Sequence, residues 1–568
     1  MKILTADEMG SADRRSVEAG LTVWTLMQHA GNAVARFCLL WNGVSNDDGL
    51  VVVLVGKGNN GGDGMVAAVR LAEAGWRVRV ALLGKASDLK GEAARAWAML
   101  GDPSVSRRPE AEPLDQKQSG LVPEAKPEQA VSVETVEIED AAGLRLALEG
   151  ATLLIDAVVG TGFKPPLRGL AELAQGLLAE SDVPVVAVDM PSGWDANSME
   201  EKAAGAFRAD AVVTFTAPKL AHVFGHLTAE TFGPVVVADI GTPEGAIESA
   251  TGLTWGGSSK AIAEVPRAIN GNKGRLGHVL LVGGSFGKAG APSMASVAAM
   301  RSGAGLVTAA VPRDILSIVA AVAPELMLTP LATEGSGGLA LEALDEASLA
   351  TMLKGISVVG IGPGLGQEGS TPEWVRTFVE RVTLPMVIDA DALNALAGRT
   401  SLLKHRVDAA GRPRTIVLTP HPGEMARLVE MSVKQVEADR VGLARRFAID
   451  HGVTLILKGW RTLVAHPDGR VAVNTTGNPS MAKGGSGDIL TGIVSAMLAQ
   501  YPENVAEAVE AAVFLHGLAG DFACLSQDEH TVLAMDTVGH LWQAFRARVV
   551  DSDGLTWISG TAANGTGR

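Results

Sequence analysis

The hydrophobic positions of this chain change period along its length. In "SVEAGLTVWTLMQHAGNAVARFCLLW", within the first fifty residues, apolar residues recur at intervals of three and four, which predicts helices. At Leu50 the pattern becomes "LVVVLV", the continuous apolar run expected of a parallel strand buried on both faces. Met65, Val66, Val69, Leu71 and Ala72 then return to helical spacing, and Gly75 marks a stop. Strand and helix patterns alternate through "ATLLIDAVVGTG", "VPVVAVDMPSGW" and "DAVVTFTAPKL", and fade after "GPVVVADIGTP" near Pro243. From Pro103 to about Val136 the alternation fails. That stretch is rich in Pro, charge and Gln, and is expected to be an exposed, mobile insertion.

A second alternating series opens at "GHVLLVGGS" and continues through "GLVTAAVP", "SVVGIGPGLG", "LPMVIDADAL", "TIVLTPHPGE" and "TLILKGW". A hairpin in "TLVAHPDGRVAVN" turns on Asp468–Gly469, and helices follow. The pattern therefore predicts an α/β chain. An N-terminal α/β domain spans 1–245, a linker 246–265, a second α/β domain 266–550, and a disordered tail 551–568. No internal repeat relates the halves.

Composition adds bounds. The 568 residues are too many for one core, and 47% hydrophobic with 20% charged residues is a globular balance. A net charge of −15 argues against nucleic acid or an anionic membrane as partner, but not against a small anionic ligand in a local pocket. Two cysteines far apart in sequence exclude a disulfide framework and fit a reducing compartment. No apolar signal core stands at the start, and no unbroken apolar run approaches the roughly 20 residues of a membrane span. A cytoplasmic location is expected.

Chemistry concentrates at the ends of the predicted strands. "GKGNNGGDG" after Leu50–Val55 forms a strand–loop–helix turn whose glycines let a ligand approach the backbone and whose amides favour an anion. A tight turn binding nothing is the plain alternative, but Asn59, Asn60 and Asp63 have no packing purpose there. No acidic residue follows at the distance the dinucleotide fingerprint requires. Asp156 and Asp189 with Ser192 end two further strands and share the same crevice. As a group they can hold a hard cation or act as acid or base; singly, each can be only a cap or turn former. In "GTGFKPP", Lys164 can meet a phosphate.

In the second half, Ile489, Leu490, Ile493, Val494, Met497 and Leu498 form a helical apolar face, which places Gly484, Gly485 and Gly487 at that helix's start. Asp488 in the first turn can cap the helix, or act as base toward a hydroxyl beside an anion hole. The Walker Lys-Ser/Thr ending is absent.

"GNNGGDG", "DAVVGTG", "VDMPSG" and "TFTAPK", in that order, resemble the NAD(P)H-hydrate epimerase domain of bifunctional NAD(P)H-hydrate repair enzymes. "NKGRLGHVLLVGGS", "GAPSMASVAAMRSGAGLV", "GPGLG", "DADAL", "TPHPGEMARL", "LKGWRT" and "HGLAGD" resemble their ADP-dependent dehydratase domain, which is ribokinase-like, over about 266–545. The resemblance implies NADH- and NADPH-hydrate as substrates, ADP or ATP as co-substrate, and magnesium. In the first half it implies that Asn59, Asn60, Gly61, Gly62 and Asp63, with Gly160, Thr161, Gly162, Phe163, Lys164, Pro165 and Pro166, line the substrate. Asn60, Asp156 and Ser192 would hold potassium, and Asp189 would be the acid/base.

In the second half the resemblance implies that Ala291, Gly364 and His421 contact the hydrate with Asp488, and that Lys458, Gly459, Trp460, Arg461, Thr462 and Gly487 contact the nucleotide, with Gly484 and Gly485 beside them. Asp389, Asp391 and Glu424 are possible metal-shell residues or strand-end caps. A homo-oligomer is expected, with contacts from residues 1–45. The competing reading is a ribokinase-like small-molecule kinase fused to a non-catalytic Rossmann-like dimerisation module.

Overall fold

A computed structural model describes residues 1–41, 49–101, 133–335, 337–404 and 406–560. It divides into two units, one of Lys2–Thr251 and the segment after Val550, the other of Gly252–Val549.

The first unit holds strands β1 (Leu50–Val55), β2 (Arg77–Leu83), β3 (Val133–Ile138), β4 (Ala151–Ala157), β5 (Val185–Val188), β6 (Ala211–Phe215) and β7 (Val235–Ala238). They lie in the order β3-β2-β1-β4-β5-β6-β7, all parallel. Alternate residues of β1 feed two cores. Val51, Val53 and Val55 pack with helices Val23–Leu40 and Asn59–Glu73. Leu50, Val52 and Leu54 pack with Leu144, Ala174 and Leu178 of the opposite helices. The unit is a Rossmann-like three-layer domain, and burial on both faces is why its strands read as unbroken apolar runs.

The second unit holds β8 (Leu253–Trp255), β9 (His278–Val282), β10 (Leu306–Pro312), β11 (Met327–Leu331), β12 (Val358–Ile361), β13 (Met386–Ile388), β14 (Ile416–Leu418), β15 (Thr454–Leu457), β16 (Leu463–Ala465) and β17 (Val471–Val473). Their order is β11-β10-β9-β12-β13-β14-β15-β16-β17-β8. The sheet is parallel up to β15, and β16–β17 is the predicted hairpin. Helix Ser486–Gln500 lies so close to helix Gly290–Arg301 that a Cβ on Gly492 would stand 2.1 Å from Ala295 O. This is the ribokinase-like α/β domain.

Four expectations change. Residues 253–255 of the expected linker form β8, paired with β17, so the second unit starts earlier. The expected insertion ends before Val133, because 133–138 adds β3 to β2; residues 102–132 lie outside the described residues. The segment after Val550 is not a disordered tail. Leu555–Ser559 forms β18, antiparallel to β7, and Leu555 is buried on the same face as Val236 and Ala238; residues 561–568 lie outside the described residues. A free sheet edge and an apolar face are reasons to order a short segment that sequence pattern alone leaves polar. Lastly, helix Val505–Ser526 is long and apolar enough to cross a membrane by composition, though 83% of its most apolar window is buried inside its unit, as befits a core helix.

Candidate functional sites

In the first unit β5 ends at Val188, and Asp189 turns off the strand with a left-handed backbone, φ 65°. Such strain in a residue with a Cβ persists only where its surroundings hold it. The carboxylate faces a cavity of about 1030 Å³, lined by Asn59, Asn60 and Asp63, by Gly160–Phe163, and by Asp13 and Arg14 of helix Ala6–Glu18. Its Oδ1 accepts from Lys219 Nζ and Thr214 Oγ1, each at 2.8 Å. Its Oδ2 accepts from Thr161 N at 2.8 Å and Thr161 Oγ1 at 2.5 Å.

Burial alone would raise the Asp189 proton affinity. The Lys219 ammonium, with 1% of its side chain exposed, outweighs it and holds the carboxyl well below the usual range. The Asp189 carbonyl meets His222 Nε2 at 2.7 Å. Burial and then the Lys219 charge lower the His222 imidazole to about 4, so it is neutral. Asp63 in the same cavity goes the other way. Burial, then Asp189 and Asp13, push its carboxyl well above the usual value, and Asp13 is raised chiefly by burial.

The glycines of "GNNGGDG" act differently from the expectation. Helix Asn59–Glu73 begins inside the motif. A Cβ on Gly61 would stand 2.1 Å from Gly56 O, and one on Gly62 2.4 Å from Met27 Cε. These two glycines let the helix seat against its neighbours, while Asn59, Asn60 and Asp63 face the cavity. Gly160 to Phe163 line it too; Lys164, Pro165 and Pro166 do not.

Asn60, Asp156 and Ser192 converge on the segment Val158–Gly160. Asp156, fully buried, accepts from Ser192 N at 2.7 Å, Ser192 Oγ at 2.6 Å and Val158 N at 3.2 Å. All these donors are neutral, and burial pushes the carboxyl up to about 6. Ser192 Oγ accepts from Val159 N at 2.9 Å. Asn60 Oδ1 would lie 2.7 Å from a Cβ on Gly160, and its buried Nδ2 has no partner. A buried carboxylate without a cationic partner, beside neutral oxygens, is a donor set that fits an alkali cation.

In the second unit, Asp488 lies in the first turn of helix Ser486–Gln500, after Gly485 at φ 98°. Ile489 N donates to Gly485 O at 3.0 Å, the first bond of the helix, so the Gly487 and Asp488 amides precede it. Burial, then the Asp389 charge, push the Asp488 carboxyl up to about 7. Lys458 Nζ lies 3.1 Å from Asp389 Oδ1 and 3.8 Å from Glu424 Oε2. Burial would lower the Lys458 ammonium, but those two carboxylates raise it. Thr491 Oγ1 donates to Asp389 Oδ2 at 2.8 Å. A Cβ on Gly487 would lie 3.1 Å from Lys458 Nζ, so this residue and the helix start share one place.

His421 caps helix Pro422–Leu428; its Nδ1 accepts from Gly423 N at 3.0 Å and Glu424 N at 3.2 Å. Gly364, φ 67°, packs against Ala291 and the Lys288 carbonyl. Asp391 Oδ2 accepts from Gly366 N at 2.8 Å. Gly459 leads to an exposed Trp460 with the Arg461 guanidinium over its ring at 4.3 Å, and Thr462 Oγ1 donates to Gly459 O at 3.1 Å. Gly484 meets nothing on its open side. Asp521 accepts from Gly477 N and Asn478 Nδ2, which makes it a loop anchor.

Among the described residues no three His, Cys, Asp or Glu side chains group to hold a metal. Asp389 and Glu424 are engaged with Lys458 instead. Magnesium held mainly by nucleotide phosphates is compatible with that arrangement.

Sequence reasoning missed Lys219, Thr214 and Asp13. Lys219 and Thr214 stood in "TFTAPK" and could have been found there. Asp13 sits on an ordinary amphipathic helix and gave no signal.

Residues 24–221 match the family described as YjeF-related protein N-terminus, and residues 279–541 match NAD(P)H-hydrate dehydratase. The bifunctional NAD(P)H-hydrate repair enzyme Nnr of Moorella thermoacetica is 37% identical over 95% of this chain and 96% of its own length. The chain belongs to the bifunctional NAD(P)H-hydrate repair enzymes.

The Escherichia coli K12 member of that family is 32% identical over 96% of this chain and 95% of its own. The crystallised ADP/ATP-dependent NAD(P)H-hydrate dehydratase of Bacillus subtilis is 29% identical, covers 50% of this chain and 95% of its own, and superposes with a TM-score of 0.41. As a repair enzyme of this family, the chain unites an NAD(P)H-hydrate epimerase in its first unit with an ADP/ATP-dependent dehydratase in its second.

Proposed function

We propose that the first unit interconverts the R and S epimers of hydrated NADH and NADPH at Asp189, and that the second dehydrates the S epimer at Asp488 using ADP or ATP. One observation carries this reading. Each unit places, beside backbone free to approach a ligand, a carboxylate whose proton affinity its neighbours have shifted.

In the first unit Lys219 keeps Asp189 ionised, so its resting role is proton acceptor rather than the acid role alone. Asp189 takes the proton of the water that adds to C6, and Asp63, whose proton affinity is raised in the same cavity, supplies the proton with which the hydroxyl departs. The nitrogen lone pair stabilises C6 between the two events. Asn60, Asp156 and Ser192 would hold potassium, which would supply a fixed positive charge beside this cavity.

In the second unit Asp488 accepts the C6 hydroxyl proton as that oxygen attacks the terminal phosphorus of ADP or ATP, whose bridging P–O bond breaks with its electron pair leaving on AMP or ADP. The C6–O bond then breaks with its electron pair leaving on phosphate, and loss of a C5 proton restores the ring double bond. Phosphate leaves far more readily than hydroxide. Lys458 and the Gly487 and Asp488 amides receive the transferring group, Lys458 to Thr462 the rest of the nucleotide, and Ala291, Gly364 and His421 the hydrate. Charge neutralisation on the phosphates would come from magnesium bound with the nucleotide.

The test uses separated R and S hydrates of NADH with potassium and magnesium, with and without ADP or ATP, following recovery of NADH absorbance. Nucleotide-dependent recovery of both epimers is expected. Recovery of S alone overturns the epimerase assignment, and recovery of neither leaves a small-molecule kinase.

A further inference from the structure

Phe286 stands apart from every other aromatic residue in the chain. It is 89% exposed, on the loop between β9 and helix Gly290–Arg301. An aromatic ring left in water forgoes the burial that would otherwise stabilise the fold. Its loop is not loose. Gly284 N donates to Pro363 O and Ser285 Oγ to Gly364 O, both at 2.8 Å, and Lys288 Nζ lies 3.6 Å from Asp391 Oδ2. Gly284 and Gly287, at φ 81° and 82°, turn the chain tightly on either side of the ring. The ring is therefore carried on a fixed base, a loop tied through Ser285 to Gly364, against which Ala291 packs.

We propose that Phe286 is a stacking platform for the adenine ring of the hydrated dinucleotide in the second unit, an inference that rests on reading that unit as the dehydratase centre. The reacting ring has to lie at Asp488. It is also a poor stacking partner, since hydration makes C5 and C6 tetrahedral. The dinucleotide is long, and its other end is a planar aromatic base whose face suits a phenyl ring. Ser285 and Lys288 fix the platform relative to Gly364, so the ring is placed before the substrate arrives and little order is lost on binding.

The experiment uses the full chain and two substrates, the S hydrate of NADH and the S hydrate of reduced nicotinamide mononucleotide, which lacks the adenylate half. Under saturating ATP and magnesium, Phe286→Ala is expected to raise KM for the NADH hydrate about tenfold with kcat little changed. Phe286→Trp restores the wild-type KM, and the mononucleotide KM is the same in all three proteins. Equal losses on both substrates, or no loss on either, overturn the proposal. So does a lower sedimentation mass for Phe286→Ala, which would make the ring a contact between copies of the chain. If the wild type fails to dehydrate either hydrate, the dehydratase reading itself falls and takes the proposal with it, an outcome distinct from the others.

Discussion

Replacing Lys219 with methionine tests how the first site is held. The ammonium is almost fully buried, and it donates to Asp189 Oδ1 at 2.8 Å and Thr214 Oγ1 at 2.7 Å. Methionine keeps most of the volume and removes the charge. Asp189 is then a buried carboxylate with only Thr161 and Thr214 as donors. Breaking a buried pair by removing one partner costs about 3–5 kcal/mol, because the other charge stays unpaired.

The double variant Asp189→Asn/Lys219→Met removes both charges and is expected to regain most of that loss, leaving a deficit of about 1–2 kcal/mol. Denaturant unfolding provides the assay. ATP with magnesium shifts only the transition of the unit that binds it, so the other transition reports the first unit. Lys219→Met also raises the Asp189 proton affinity, so the low-pH limb of epimer exchange moves to higher pH. In the wild type the folded Asp189 carboxyl is depressed. Its stabilisation is fully present above the unfolded value near 3.9 and is lost as pH falls through the lower folded value. If Lys219→Met costs under about 1 kcal/mol, or the double variant is no more stable than the single, the pair does not hold the site as argued.

Four further outcomes are expected. Asp488→Asn abolishes dehydration and leaves epimer exchange intact; loss of both would refute two separate centres. In the wild type, kcat/KM for dehydration rises as pH passes about 7, because Asp488 acts as a base and is pushed up to about 7; a flat profile from 6 to 8 would rule that out. Gly364→Ala puts a Cβ 2.9 Å from Lys288 O at φ 67°, with about 1–2 kcal/mol of backbone strain, so KM for the hydrate should rise, as initial rates would register. Truncation after Val550 removes β18 and bares the β7 edge. It should lower the unfolding midpoint of the first unit and promote aggregation visible by light scattering, while dehydration of the S epimer persists.

How much of this could be foreseen varies by residue. The change from helical spacing to runs such as "LVVVLV" and "HVLLV" determined two parallel-sheet units, because burial on both faces of a sheet leaves no room for polar alternation. The glycine-led start of the helix bearing Asp488 was legible for the same local reason. Strand β18 was not. Its residues look like a tail until β7 offers an unpaired edge. Gly61 and Gly62 announced themselves as ligand glycines, yet only the packing against Gly56 O and Met27 reveals what they do.

The sequence by itself determined which residues could do chemistry, since Asp189, Asp156 and Asp488 all end predicted strands or begin a predicted helix. Only the tertiary structure decided their charge. Three aspartates of one intrinsic acidity are pushed apart, Asp189 down by Lys219, Asp156 up to about 6 and Asp488 to about 7 by burial. Proton affinity depends on desolvation and on charges brought close by folding. Lys219 is 30 residues from Asp189 along the chain and 2.8 Å away in space.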